Sequence, residues 1–289
     1  MWPEGPEPSS VPVLKLWREY PTRVRRSQEE LVFATYLAPC LRPLYQLVTD
    51  AVAEELGRPT RLVNGTSLDQ VRQGDVHFAF LCGLPYIRLR REDPSLVDAI
   101  AAPVVSDIRY GGLPIYFSDV IVPSDSPAGS WGALRGASWA YNEADSHSGY
   151  LVTLHRLAEM AEPATYFSRW QATGFHERSI EMVASGAVGA SAVDSHVLEI
   201  ALRRRPENRD RVRVVDHLGP STIQPLVATG AASDSLKRDV RQIVIALGYR
   251  PEHREKLQQS LVDGFVTVAD ESYADIRRML AAAEAAHLC

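Results

Sequence analysis

The chain has 289 residues, 45% hydrophobic and 23% charged, with a formal net charge of −5. This is enough chain to bury one large core or two smaller ones, and the balance excludes collagen-like, low-complexity and disordered classes. No apolar run reaches the roughly 18 residues of a membrane-spanning helix, so no membrane insertion is expected.

Residues 1–27 carry three prolines and two glutamates in the first eight positions and lack the apolar stretch of a signal peptide. They read as an N-terminal tail or an isolated short helix. From residue 31 a regular alternation begins. LVFATYL (31–37) is a strand, 39–56 a helix closed by Gly57 and Pro59, TRLVN (60–64) a strand, and 67–73 a short helix stopped by Gly74. VHFAFL (76–81) is the next strand and 83–91 the next helix. Strands alternating with helices imply a mostly parallel sheet covered on both faces.

IYFSDVIVP (115–123) reads as the strand that leaves this unit, and SDSPAGSWGALRG as a polar connection. ASWAYN, AVGASAV and VRVVDHL supply a second sheet, with helices near 146–160, 176–185 and 194–204. QPLVAT (224–229) is a returning strand, and the remainder reads as helical: 233–247, part of 251–262, and 273–286. The economical arrangement is two lobes joined by two crossings. The first lobe is 28–118 with 225–289, the second 119–224.

The six arginines between Arg203 and Arg213 are interrupted by Glu207 and Asp210 and have no interleaved aromatics, so they read as a solvated helix end, with no nucleic-acid partner. Cys40, Cys82 and Cys289 have neither zinc-site nor redox-pair spacing. No HExxH, GxSxG, Walker or GxGxxG pattern occurs, and neither a metal nor a cofactor is expected.

In a parallel α/β sheet ligands sit beyond the carboxyl ends of the strands, where helix N-termini present free N–H groups and positive dipole ends. DSHSG (145–149) lies at such a junction. Ser146 and Ser148 add hydroxyls, and Gly149 lets a ligand approach the backbone. Thr66 and Ser67, Cys82 and Gly83, and Asp194 and Ser195 occupy comparable junctions. Each has a plainer reading: Ser146 and Asp194 can simply cap their helices, Tyr36, close to the end of the first strand, can line the cleft or pack in the core, and Tyr116, Trp131, Trp139 and Trp170 can be packing residues.

The ordered segments LCGLPYI, IYFSDVIVPSDSP, LRGASWAYNEADSHSGYLV, TGFHERSIEMVASGAVGASAVDSHVLE and LGPSTIQPLVA resemble the phosphate, phosphite and phosphonate substrate-binding proteins of ABC transporters over roughly residues 31–280. The most specific pieces are the S-x-S-G-[YF] helix start at 146–150 and VGASAVDS at 188–195. Gly189 stands where Asp is common, and Cys82-Gly83 where Gly-Pro is common.

The resemblance implies an α/β, two-lobed type 2 periplasmic-binding fold: two mixed sheets flanked by helices, with a ligand cleft between the lobes. It further implies a small anionic ligand, an ABC permease as partner, and a periplasmic or extracytoplasmic site of action. Carried over by position, Ser146, His147 and Ser148 donate to the anion beside Gly149, with His147 standing where Thr is frequent. Tyr116 supplies a phenol and His176 an imidazole. Asp194 or Ser195 takes a protonated oxygen or an amine, Gln224 stands where some relatives have Asp, and Tyr86 and Ser67 are wall residues. The absence of an export signal leaves open a cytoplasmic enzyme or sensor on the same scaffold, acting on a small carboxylate or phosphorylated metabolite.

Overall fold

The computed structural model describes residues 29–288; the reading of 1–27 as a tail or helix lies outside them, as does Cys289. In chain order the first lobe opens with β1 (Leu31–Thr35), a 3-10 turn at Pro39–Leu41 that runs into α1 (Arg42–Leu56), β2 (Thr60–Asn64), α2 (Asp69–Arg72), β3 (Phe78–Phe80), α3 (Gly83–Glu92) and β4 (Val97–Val105). Helix α1 stops at Gly57, which takes a left-handed φ of 56° that a β-carbon would disfavour.

The second lobe holds β5 (Ile115–Pro123), β6 (Ser138–Tyr141), a π-helical turn at His147–Leu151 leading into α4 (Val152–Glu159), β7 (Arg169–Ala172), α5 (His176–Ala184), β8 (Ala190–Asp194), α6 (Ser195–Arg204) and β9 (Val212–Thr222). The chain then returns through β10 (Leu226–Thr229), α7 (Asp234–Ala246), α8 (Arg254–Gln259), β11 (Val262–Val266) and α9 (Ala274–Ala285).

The first sheet has the order β11-β4-β10-β3-β1-β2 and the second β7-β6-β8-β5-β9. Both are mixed. β1 is parallel to β2 and β3, whereas β10 runs antiparallel to β3 and β4, and β11 antiparallel to β4. In the second sheet β6 is parallel to β7 and β8, while β5 is antiparallel to β8 and β9. The whole of β5 belongs to the second sheet, so the chain crosses between sheets at 106–114 and again at 223–225.

Three strands depart from the expected pattern. β4 is a nearly continuous apolar run containing Pro103, and β7 has only four residues, so neither carries a clear two-residue alternation. β11 falls in the segment read as helical. It is a strand because Gly264 lets Gly248 cross against it: a β-carbon on Gly264 would sit 3.1 Å from the Gly248 Cα.

Both lobes have apolar interiors, and two seams of core join them. Val197 and Ile200 of α6 pack with Phe33, Leu44 and Leu261 of the first lobe. On the other side Leu151 and Leu154 meet Tyr273, Ile276 and Leu280 beside α9. The same end of α9 holds the returning crossing: Tyr273 Oη donates to Ile223 O (3.0 Å) and Thr222 N to Asp275 Oδ2 (2.7 Å). Trp131, Trp139, Phe167 and Trp170 stack into the second lobe's aromatic cluster. Of the arginine-rich stretch, Arg203 and Arg209 pair with Glu199, and Arg213 donates to the carbonyls of Ser126 and Ala128.

Candidate functional site

A cavity of about 350 Å³ lies between the two sheets. Its first-lobe wall comes from the carboxyl ends of β1 and β2 (Thr35, Tyr36, Asn64), from Cys82 just beyond β3, and from the start of α1 (Arg42, Tyr45). Its second-lobe wall comes from Asn142 after β6, Ser146 and Ser148 of the π turn, His176 at the start of α5 and Asp194 at the end of β8. Gln224, in the returning crossing, sits where the walls meet.

The π turn is widened: Leu151 N donates five residues back to Ser146 O (3.0 Å). Such turns recur at functional sites. Ser146 Oγ accepts Gly149 N (3.1 Å), and His147 N donates to Cys82 Sγ (3.2 Å), so these two helix-start N–H groups are taken within the protein. The Ser146 hydroxyl proton remains available to the cavity. Gly149 makes room for Asn142, since any β-carbon there would collide with the Asn142 side-chain oxygen.

Ser148 Oγ and His176 Nε2 are 2.9 Å apart and both residues are buried. His176 Nδ1 has no partner among the described residues. An unpaired buried N–H is rarer than an unpaired acceptor, which assigns the imidazole proton to Nε2. His176 therefore donates to Ser148, and the Ser148 proton is directed elsewhere. Burial holds the imidazole down to about 4, so it is neutral near pH 7. A serine–histidine pair suggests a nucleophile, but this histidine lacks a carboxylate on Nδ1 and is a weak base, so the geometry is that of an oriented donor.

Asp194 caps α6, its Oδ1 accepting His196 N (2.8 Å) and Val197 N (3.1 Å), while Oδ2 accepts Gln224 Nε2. The capping and cavity-facing readings both hold for this residue. Burial raises its carboxyl to about 6 against the opposing effect of those three donors. Tyr45 also faces the cavity, and burial places its phenol well above the ordinary range, so it is a neutral donor.

Five of the anticipated residues thus line one cavity: Ser146, Ser148, His176, Asp194 and Gln224. Gly149 lies directly behind them. His147 and Tyr116 are buried deeper, their rings in edge contact at 6.2 Å, with His147 Nε2 2.8 Å from Ser221 Oγ. Ser195 is drawn into the crossing, where its Oγ accepts Phe117 N (3.1 Å) and Tyr110 Oη (3.0 Å). Tyr86 points away from the cavity to Asp270 Oδ1 (2.8 Å), which Arg90 and Arg277 also engage. Ser67 is exposed and accepts Asp69 N (3.1 Å) ahead of α2. Sequence reasoning missed Arg42, Tyr45, Asn64 and Asn142. Only Asn142, immediately after a strand and ahead of the serine-rich start, carried a signal that could have found it.

Polar contacts also join the two lobes beside the cavity. Glu177 Oε1 accepts Cys40 N (3.0 Å) from the opposite lobe, and Arg88 pairs with Asp145. Because these contacts exist only when the lobes are together, they favour the closed state. Glu177→Ala is expected to weaken ligand affinity by about threefold to tenfold, through faster dissociation, as the loss of one carboxylate hydrogen bond at the seam implies. Stopped-flow dissociation rates equal to wild type would contradict it.

Two α/β lobes enclosing a cavity lined by hydroxyl and amide donors, with Arg42 on the first-lobe wall, form a solute-binding architecture. The family model described as "ABC transporter, phosphonate, periplasmic substrate-binding protein" matches residues 32–273, and the chain belongs to that family. Its members are substrate-binding components of transport. The fold is similar to a binding protein component of an ABC phosphonate transporter from Pseudomonas aeruginosa, at 18% identity and TM-score 0.78, covering 90% of this chain and 88% of that one. It is also similar to PhnD1 from Prochlorococcus marinus in complex with methylphosphonate, at 17% identity and TM-score 0.76, covering 86% and 96%. The alkanesulfonate-binding protein of Xanthomonas axonopodis bound to MOPS shares the fold at 12% identity and TM-score 0.65, covering 91% and 95%. No curated protein matches the sequence. Gly189, the departure noted in the VGASAVDS segment, is accounted for by packing: a β-carbon there would sit 3.2 Å from Ala137 Cβ and 3.3 Å from Ser138 O.

Proposed function

We propose that this protein captures a small tetrahedral oxyanion of the phosphate, phosphite or phosphonate class in the cavity between its lobes and delivers it to an ABC permease, in the periplasmic setting of its family. The observation that carries the reading is the convergence of neutral donors on one cavity: the hydroxyls of Ser146, Ser148 and Tyr45, with the amides of Asn142 and Gln224. Micromolar affinity needs about 8 kcal/mol, and a hydrogen bond to a charged group contributes about 1.5–3 kcal/mol, so five aimed donors suffice after association losses. Asp194 supplies the acceptor for a protonated oxygen or an amine of the ligand.

Thermal-shift measurements against phosphate, phosphite, methylphosphonate, sulfate and acetate test this. A ligand at 100 times its Kd adds about 2.7 kcal/mol, which in a chain of this size raises Tm by about 5 °C or more. Phosphorus NMR of the same mixture should show the ligand recovered unchanged. No shift with any phosphorus oxyanion, or conversion of the ligand, would overturn the reading.

A further inference from the structure

We propose that the cavity contains a second anionic subsite centred on Arg42, and that the preferred ligand is an organophosphonate bearing a carboxylate at the far end of a short carbon chain. This rests on the oxyanion reading of the same cavity and adds the chemistry of the ligand's tail.

The first reason is size. A bare phosphonate head group takes the room of about three waters, on the order of 90 Å³. The cavity measures about 350 Å³, so most of it lies beyond the head group. The second is distance. His147 N on Cys82 Sγ fixes the serine-bearing turn above the end of β3, while Asn64 ends β2. β3, β1 and β2 are successive neighbours in the sheet with Phe80, Thr35 and Asn64 in register, which places Asn64 about 10 Å from Phe80 and on the order of 12 Å across the cavity floor from Cys82. Arg42 reaches the same point, its guanidinium donating to Asn64 Oδ1 (2.5 Å) and Leu62 O (3.0 Å).

The third reason is charge. Among the described residues Arg42 is the only arginine or lysine in the lining, and no carboxylate among them lies within ion-pairing distance of it. Both of its acceptors are neutral, and they occupy two of its five N–H donors, leaving a planar fork suited to a carboxylate. The cavity carboxylates are not alternatives for this cation: Asp194 is held by three donors, and Asp145 pairs with Arg88. Leu37, Leu41, Leu68 and Phe175 add apolar lining to the same cavity, which suits methylene groups. The rival for a charged tail is Glu143, an unpaired carboxylate on the second-lobe side of the lining, which would favour an amine.

Titration calorimetry with methylphosphonate, propylphosphonate, 3-phosphonopropionate and 2-aminoethylphosphonate separates these cases. The carboxylated ligand should bind about tenfold or more tighter than propylphosphonate, which has a similar tail without the charge. Arg42→Gln should bring that ratio near one and Arg42→Lys should restore part of it, whereas Ser148→Ala should weaken both ligands and keep the ratio. Equal affinities of the two ligands for the wild-type protein, or tightest binding of the aminated one, overturn the Arg42 subsite while methylphosphonate binding upholds the oxyanion site. If no phosphonate binds, both readings fall.

Discussion

Acidification from about pH 6.5 to 4.5 is expected to destabilise the fold by several kcal/mol, with histidines rather than carboxylates responsible. His147, His176 and His196 are each buried, and burial lowers them from 6.5 to about 3, 4 and 4 respectively. A base whose folded pKa is depressed binds its proton more readily when unfolded. The stability it allows is therefore intact above pH 6.5 and is lost as the pH falls toward the folded value. At pH 4.5 each histidine contributes a loss of about 2 kcal/mol, roughly 6–8 kcal/mol together.

Asp194 acts in the opposite direction. Its carboxyl is raised to about 6 from 3.8, so the fold gains stability as the pH falls through that interval, by about 2 kcal/mol at pH 4.5. The histidines win by on the order of 5 kcal/mol, comparable with the whole stability of many domains. Urea denaturation midpoints measured across this range should fall steeply. His196, whose Nε2 donates to Ser260 O (2.6 Å), offers a direct check, because Gln at 196 can keep a donor while removing the titration. His196→Gln should flatten the slope by about a third. A midpoint that stays level or rises on acidification would refute the assignment of these rings as neutral and buried.

The sequence disclosed the part of the site that depends on local structure. Helix starts after strands have a local signature, and Ser146, Ser148, His176 and Asp194 are all first-turn or capping residues of that kind. It could not say which way consecutive side chains turn. Ser146 is an extended N-cap while His147 and Ser148 already belong to the π turn, so the three side chains leave the backbone in different directions, and His147 is the one rotated into the core against Tyr116. Arg42 and Tyr45 were invisible for a different reason. Nothing local to α1 says that its amino end abuts the other lobe; that follows from the packing of α6 against the first lobe's core. Likewise Tyr86 fits the wall by position, but Asp270, 184 residues away in sequence, is what draws its hydroxyl off.

Ser148→Ala is expected to reduce oxyanion affinity by about tenfold to a hundredfold, the effect of losing one hydrogen bond to a charged group. The direction of the Ser148 proton decides this. With His176 Nε2–H donating to Ser148 Oγ at 2.9 Å, the hydroxyl proton is free to turn to the ligand, the buried Tyr116 phenol being its alternative acceptor in the protein. Removing the hydroxyl also leaves the His176 N–H buried and unpaired, so a loss of about 1–3 kcal/mol in folding stability should accompany the weaker binding. The two effects separate in a double-mutant cycle with His176→Ala. If His176 acts by orienting Ser148, the serine truncation should matter less once the imidazole is gone, with a coupling of about 1 kcal/mol in binding free energy. If His176 instead touches the ligand independently, the two losses should add. Affinity of Ser148→Ala within threefold of wild type would show that Ser148 does not hold the anion, and with it would go one of the two hydroxyls that place the phosphonate head group above Cys82.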